Sequence, residues 1–338
     1  MHNKNITIKE IAKKLNVSIS TVSRALNDHP GIGKKNRERI KQFAQEHNYQ
    51  KNLTALYFKT GKSFTIGVIV PEITETFFSR AITGIEDVAT ENGYNVFFSQ
   101  SHNDIEKEKE IISLYRKSGI DGLLISLSKS TRNIEHFKEL QDSGVPVIFF
   151  DRIPKDSSMY TVSCDLFNSS KLLIDFLWEK GHKTIGLIKG PSSLNATMER
   201  MRGFMEGLNK KRVKTDPALF ATSDLTREGT RKAMEDILSQ KKKPTAIVAF
   251  NDYVALDAIQ YIQEKTSMKI NEDICFVSYA NVPITNYIDV AKPIASIEQF
   301  PYEQGKLATE LLLKILRDPQ TELTDRHIVL EGKLIEHF

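Results

Sequence analysis

Apolar residues at the start of the chain recur at helical spacing. Ile8, Ile11, Ala12 and Leu15 fall at i, i+3, i+4 and i+7, so this stretch predicts one amphipathic helix. Thr7 before it and Glu10 three residues on form a capping box, each side chain answering an orphan backbone N–H at the other's position. Asn16 and Val17 break the run, and Ser18 caps a second helix. Val17 and Val22 have the spacing of a hydrophobic staple, and Val22, Ala25 and Leu26 face inward. Ile19, Ser20, Thr21, Ser23 and Arg24 are left for the outer face or the flanks. A third helix over residues 34–47 turns Ile40, Phe43 and Ala44 inward and Lys34, Lys35, Arg37, Arg39 and Lys41 outward. Two short helices joined by a tight turn, the second starting with hydroxyls and carrying an arginine, suit base-edge and phosphate contacts in a DNA major groove. The competing reading is a small solvated helical hairpin, which two nested caps and a staple disfavour.

Residues 49–58 are ambiguous. Asn52 can cap a helical turn carrying Leu53, Ala55, Leu56, Tyr57 and Phe58, and residues 60–63 read as a linker. From Phe64 the rhythm changes. Apolar strands are expected at 65–70, 95–99, 122–127, 145–150, 160–163, 184–188, 246–250 and 275–279, with helices at 77–92, 105–118, 132–143, 167–180, 198–210, 227–239 and 253–265 between most of them. Near-continuous Val, Ile and Phe strands alternating with helices imply parallel sheets buried on both faces. So many units exceed one comfortable sheet, which predicts an all-α helix-turn-helix head followed by an α/β core of two doubly wound parallel-sheet subdomains with a cleft between them. Ligands in such sheets sit beyond the C-terminal strand ends. Asp151, Asn251, Asp252 and Asn281 are therefore the polar candidates there. The expected boundaries are 1–48 for the head, 49–62 for the connecting segment and 63–338 for the core. Within the core, one subdomain is expected to hold about 63–163 plus 294–322, the other about 164–293 plus 323–338.

Charge sharpens the division. Residues 1–62 hold thirteen Lys and Arg against four acids, a surplus of +9, and the net +4 of the whole chain leaves −5 on the remainder. A basic head on an acidic body fits non-specific attraction to phosphate, which is salt-dependent. The longest apolar runs are short strands, far below a membrane span, and no secretory signal opens the chain. Cys164 and Cys275 are the only cysteines and have no metal-ligand spacing, so both are expected reduced in the cytoplasm. P-loop, dinucleotide, zinc-protease and nucleophile-elbow motifs do not occur, and the eight histidines are scattered. Neither an enzyme, a cofactor nor a metal is expected.

These residues together resemble the lactose-repressor (LacI/GalR) family of bacterial transcription regulators, over essentially the whole chain. The most specific match is Thr7-x3-Ile11-Ala12-x4-Val17-Ser18-x2-Thr21-Val22-Ser23-Arg24-x2-Asn27. Further landmarks are Gly67-Val68-Ile69-Val70-Pro71, Phe77-Phe78, Gly84-Ile85, Asp121-Gly122, Phe149-Phe150-Asp151-Arg152, Gly181-His182, Arg200-x2-Gly203-Phe204 and Phe250-Asn251-Asp252. The resemblance implies a homodimer reading a pseudo-palindromic operator, a small-molecule effector in a periplasmic-binding-protein-like core, and a hinge helix between them. It implies Ile19 and Ser20 as the main base-reading positions with Arg24 beside them. Thr7, Ser18, Thr21, Ser23 and Asn27 would touch phosphates or cap helices. Ala55 and Phe58 align with the pair that enters the minor groove, Phe58 standing where a leucine is usual. An apolar wedge there kinks DNA, so Phe58→Ala is expected to lower operator affinity without unfolding the protein. In the core, Asp151 and Arg200 align with pocket residues, Phe77 and Phe78 offer an aromatic wall or core packing, and Asn251 and Asn281 offer polar contacts. Tyr279-Ala280-Asn281 lacks the aspartate that sugar-binding members commonly carry after that tyrosine, which counts against a simple sugar and leaves phosphorylated or acidic ligands, or no small molecule at all, open. The alternative is a metabolite- or sugar-binding protein without specific DNA reading.

Overall fold

The computed structural model describes residues 6–49, 61–155, 158–213, 216–284, 291–318 and 325–337. The chain separates into two compact units, residues 1–63 and 64–338. Ala55 and Phe58 lie outside the described residues.

In the first unit, α1 (Ile8–Leu15), α2 (Ile19–Leu26) and α3 (Lys34–Glu46) enclose Ile11, Ala12, Leu15, Val22, Ala25, Ile40 and Ala44. Ile8, Val17, Leu26 and Phe43 pack against that core half-buried, so the helical spacing names the same inward face that the fold buries. The capping box is present: Thr7 N donates to Glu10 Oε2 at 2.7 Å, and Glu10 N donates to Thr7 Oγ1 at 3.3 Å.

The second unit holds two six-stranded sheets. The first runs β11 (His327–Leu330), β5 (Tyr160–Cys164), β4 (Val147–Phe150), β3 (Gly122–Ile125), β1 (Thr65–Val70) and β2 (Asn95–Gln100), all neighbours parallel. The second runs β12 (Lys333–Glu336), β10 (Ala295–Glu298), β9 (Cys275–Tyr279), β8 (Ala246–Ala249), β6 (Ile185–Lys189) and β7 (Phe220–Thr222). There only the β10–β12 pair is antiparallel. Helices α4 (Thr76–Glu91), α5 (Ile105–Ser118), α6 (Glu135–Asp142) and α11 (Pro301–Arg317) cover the first sheet. Helices α7 (Leu166–Glu179), α8 (Asn195–Lys210), α9 (Arg227–Leu238) and α10 (Asp252–Lys265) cover the second. Among the described residues no helix is long and apolar enough to cross a membrane.

Two expectations change. Residues 294–322 do not all belong to the first subdomain, because β10 lies in the second sheet, where Ile297 pairs with Tyr279. Nor does the C-terminal segment belong wholly to the second: β11 pairs with β5 in the first sheet, His327 opposite Thr161, before β12 returns to the second. The chain thus crosses between subdomains after β5, after β10 and after β11. The β11–β5 pairing, between strands more than a hundred residues apart, leaves no mark on local periodicity. Strand β2 also departs from the doubly buried pattern. It is an edge strand, and Phe97 and Phe98 stand 52% and 50% exposed.

Candidate functional site

On the head, Ser18 Oγ accepts from Thr21 N at 3.0 Å and lies 2.8 Å from both Ser20 Oγ and Thr21 Oγ1. That network fixes the first turn of α2, and Asn27 Nδ2 closes its last turn on Ser23 O at 2.9 Å. Ser18, Ile19, Ser20, Arg24 and Asn27 are exposed, whereas Thr21 and Ser23 are half-buried. Ile19 stands 47% exposed although it is apolar. Nothing in the head's own packing requires an isoleucine there. On α3, Lys41 lies 2.6 Å and Arg37 3.7 Å from Asp28, so these two cations brace the loop after α2, while Lys34, Lys35 and Arg39 remain exposed.

In the core, the polar candidates gather at C-terminal strand ends. The chain leaves β4 at Asp151, in the left-handed region at φ +56°. Ser126 Oγ, from the neighbouring strand end, donates to Asp151 Oδ2 at 3.4 Å. Burial pushes the Asp151 carboxyl up to about 6, against the opposing pull of Arg152 and Arg200. Arg152 is directed elsewhere: it donates to Asn103 Oδ1 at 2.8 Å, lies 3.5 Å from Glu75 and stacks 5.3 Å over Phe78.

Arg200 is carried by α8, which Gly203 lets approach α7 closely, since a Cβ at 203 would collide with the Phe167 carbonyl. Its guanidinium lies between the rings of Phe250 and Tyr279, 4.3 Å from each centroid. Nη1 donates to Phe250 O at 2.8 Å and Nη2 to Gln299 Oε1 at 3.2 Å, while the buried Nε has no partner. Burial lowers the guanidinium pKa, opposed by Tyr279 and Asp151. A pocket beside it is small, about 10 Å³. A larger cavity of about 330 Å³ opens between the subdomains, lined by Arg132, Asn133 and Lys155 on one side and Ser192, Ser193 and Asn195 on the other. Across the cleft, Thr76 Oγ1 lies 3.2 Å from Tyr253 Oη, Lys129 Nζ donates to Asp224 O at 3.1 Å, and Arg80 lies 3.3 Å from Glu298.

The remaining candidates divide. Asn251 caps α10, its Oδ1 accepting from Val254 N at 2.9 Å, which leaves the amide nitrogen for other work. Asn281 Nδ2 donates to Glu298 Oε2 at 2.9 Å. Phe77 and Phe78 sit in the core of the first subdomain, 8% and 1% exposed, so the structure favours core packing over an open aromatic wall. Asp252 is fully buried: it accepts from Ser278 and Ser296 hydroxyls and from Val282 N, and burial raises its pKa. It anchors the strand ends from inside rather than facing the cleft. Sequence reasoning missed Arg80, Ser126, Glu298 and Gln299; only the strand-end position of Ser126 signalled its place. No group of three or more His, Cys, Asp or Glu among the described residues could hold a metal ion.

A family model for bacterial regulatory proteins, lacI family, matches residues 7–52, and one for a periplasmic binding protein domain matches residues 66–320. The chain is 31% identical over 332 residues to the HTH-type transcriptional repressor CytR of Escherichia coli, covering 96% of this chain and 95% of that protein. It is 28% identical to catabolite control protein A of Staphylococcus epidermidis over 94% of each chain. Among solved structures, a lac repressor dimer bound to operator and the anti-inducer ONPF shares the fold, with TM-score 0.83 over 98% of each chain at 22% identity. A transcriptional regulator from Enterococcus faecium with bound ribose matches with TM-score 0.70 at 26% identity, covering 81% of this chain and 97% of that one.

Proposed function

Because the chain belongs to the LacI family of bacterial regulatory proteins, we propose that it is a cytoplasmic, effector-responsive repressor that binds a pseudo-palindromic operator as a homodimer. The observation that carries this reading is the α2 face, an exposed Ile19–Ser20 pair with Arg24 one turn on, held by the Ser18 cap. In this reading Ile19 makes apolar contact with a thymine methyl, Ser20 bonds a base edge, and Arg24 takes a base or phosphate. Thr7, Ser18, Thr21, Ser23 and Asn27 set the helices against phosphates, and Ala55 and Phe58 form the minor-groove wedge. The half-exposed Phe97 and Phe98 on edge strand β2 give the second copy an apolar face to cover.

The effector sits in the cleft, with Asp151, Arg200, Asn251 and Asn281 as its polar partners and Phe77 and Phe78 as the packing behind them. The ribose-bound relative supports a hydroxyl-bearing small molecule. Selection of bound genomic fragments, followed by gel-shift titration at two salt concentrations, tests the function. Fragments sharing a two-fold pattern are expected. Steep salt dependence without sequence preference would sink the reading in favour of a metabolite-binding protein.

A further inference from the structure

The cavity of about 330 Å³ between the subdomains falls within the size range of small-molecule sites. Its described lining holds two cations, Arg132 and Lys155, and no carboxylate. That balance runs against its surroundings, since residues 63–338 carry a net −5. Facing the two cations across the cleft are Ser192, Ser193 and Asn195, whose hydroxyl and amide groups can donate to the oxygens of an anion. Asn195 is the first residue of α8, and the helix begins after Leu194 with no side-chain cap. The partial positive charge of a helix start adds to the same field. Among the described residues neither Arg132 nor Lys155 has an acidic partner.

The wall that carries Arg132 is fixed from inside. Glu108 of α5, fully buried, accepts from Ser128 N at 3.1 Å and from Thr131 Oγ1 at 2.9 Å, and lies 3.0 Å from His136 Nε2. Ser128 Oγ in turn accepts from Ser130 N at 3.2 Å. These bonds hold residues 128–136 together, so Arg132 projects from a fixed backbone. The cavity also adjoins the polar strand ends. Ile153, on its lining, is two residues beyond Asp151, and Leu127 follows Ser126, which bonds Asp151. Little more than a turn along α8 from Asn195, Arg200 keeps a buried Nε without a partner. Like charge disfavours an anion beside Asp151. A ligand that spans both places therefore sets its anionic end at Arg132 and Lys155 and its hydroxyls at Asp151.

We propose that the effector is a phosphorylated, hydroxyl-bearing small molecule whose phosphate is held by Arg132, Lys155 and the Ser192–Asn195 start of α8. The proposal rests on the cleft as the effector site and adds the chemical class of its occupant. A tetrahedral phosphate presents oxygens in several directions, which suits donors arriving from both subdomains. A planar carboxylate is matched better by a single side-on arginine fork.

Melting of the full-length protein is followed at fixed ionic strength in rising concentrations of inorganic phosphate, ribose 5-phosphate, ribose and gluconate. Inorganic phosphate and ribose 5-phosphate are expected to raise the melting temperature saturably, with ribose and gluconate weaker. Arg132 and Lys155 are exposed, so Arg132→Gln combined with Lys155→Gln leaves the fold intact. That double variant is expected to raise the concentration giving half the shift by about tenfold or more, as loss of charge-assisted contacts does. Arg132→Lys is expected to keep most of the response, and Lys242→Gln, on the turn before β8, all of it. General salt stabilisation and phosphate held by the basic head survive the double variant, so only the part lost in it counts. A shift equal in the native protein and the double variant, or no shift with either phosphate compound, overturns the proposal. So does a gluconate response as strong as the phosphate response and equally lost, which assigns a carboxylate instead. In the operator assay, an extract of small metabolites is expected to alter binding and to lose that effect after phosphatase treatment. An effect that survives phosphatase overturns the phosphate class and leaves the cleft reading intact. A melting shift lost in the double variant, with no operator response to the extract, retains the phosphate site and sinks the cleft as an effector site.

Discussion

Around α1 and α2 of the head, polar side chains find partners three or four residues away: Thr7 with Glu10, Ser18 with Thr21, Asn27 with the Ser23 carbonyl. In the cleft the partners are distant in sequence. Arg200 reaches the Phe250 carbonyl and Gln299, and Arg80 reaches Glu298. The head's polar face is exposed and solvated, so removing one of its contacts costs little folding energy. The cleft's groups are buried, and each lost partner strands another in low dielectric. Contact residues can therefore change cheaply in the head, whereas in the cleft binding and stability are coupled.

The sharpest test of this contrast is Asp252→Ala. It leaves the Ser278 and Ser296 hydroxyls and the Val282 N–H without their shared acceptor. A loss of about 3 kcal/mol in chemical denaturation is expected, at the usual cost of stranded buried donors. A loss below about 1 kcal/mol would break the comparison.

Next is the pH dependence set by Asp151. Its carboxyl is raised from 3.8 to about 6, so the folded state holds the proton more tightly than the unfolded chain. The stability tied to this proton is fully present below about 3.8 and is lost as the pH rises through about 6. Asp151→Asn removes that loss, so its melting temperature should exceed the native value increasingly between pH 4 and pH 7. Parallel melting curves across that range would show that the buried carboxyl is not strained by ionisation.

Arg24→Ala should weaken binding to a selected fragment by about tenfold, with folding free energy changed by no more than about 0.5 kcal/mol, as for an exposed contact residue. A salt slope reduced by about one would assign Arg24 to a phosphate, and relaxed base preference would assign it to a base edge. The smallest expected effect is that of Thr7→Ala, about 1 kcal/mol of head stability from the lost capping box, read by hydrogen exchange in α1. No loss would mean that tertiary packing alone holds that helix.

The same contrast explains what sequence reading could reach. The caps of α1 and α2, the staple and the inward face of the head follow from spacings of three and four residues, and the observed core repeats them nearly position for position. Strand β1 and the 275–279 strand β9 are where their apolar runs put them. Asp151, Arg200, Asn251 and Asn281 lie near the expected strand ends or pocket. Their surroundings were not readable, however: Arg152 turns to Asn103 rather than to its neighbour, and Asp252 points inward. Glu298 and Gln299 gave no signal, because a lone Glu-Gln pair after a short strand looks like any exposed turn until β10 is paired with β9.

By itself the sequence determined the head, the alternation of strand and helix that makes the core α/β, and the separation of a basic front from an acidic body. These are local or summed properties, fixed by periodicity, capping chemistry and charge count. Only the tertiary structure decided that β10 and β11 lie in opposite sheets, that the chain crosses three times, and that a buried Glu-Gln crossing joins the pocket to the first subdomain. The physical reason is that strand pairing and buried hydrogen bonding satisfy backbone and side-chain polar groups across long sequence separations. Their energies depend on which distant partners arrive, and no local spacing encodes that.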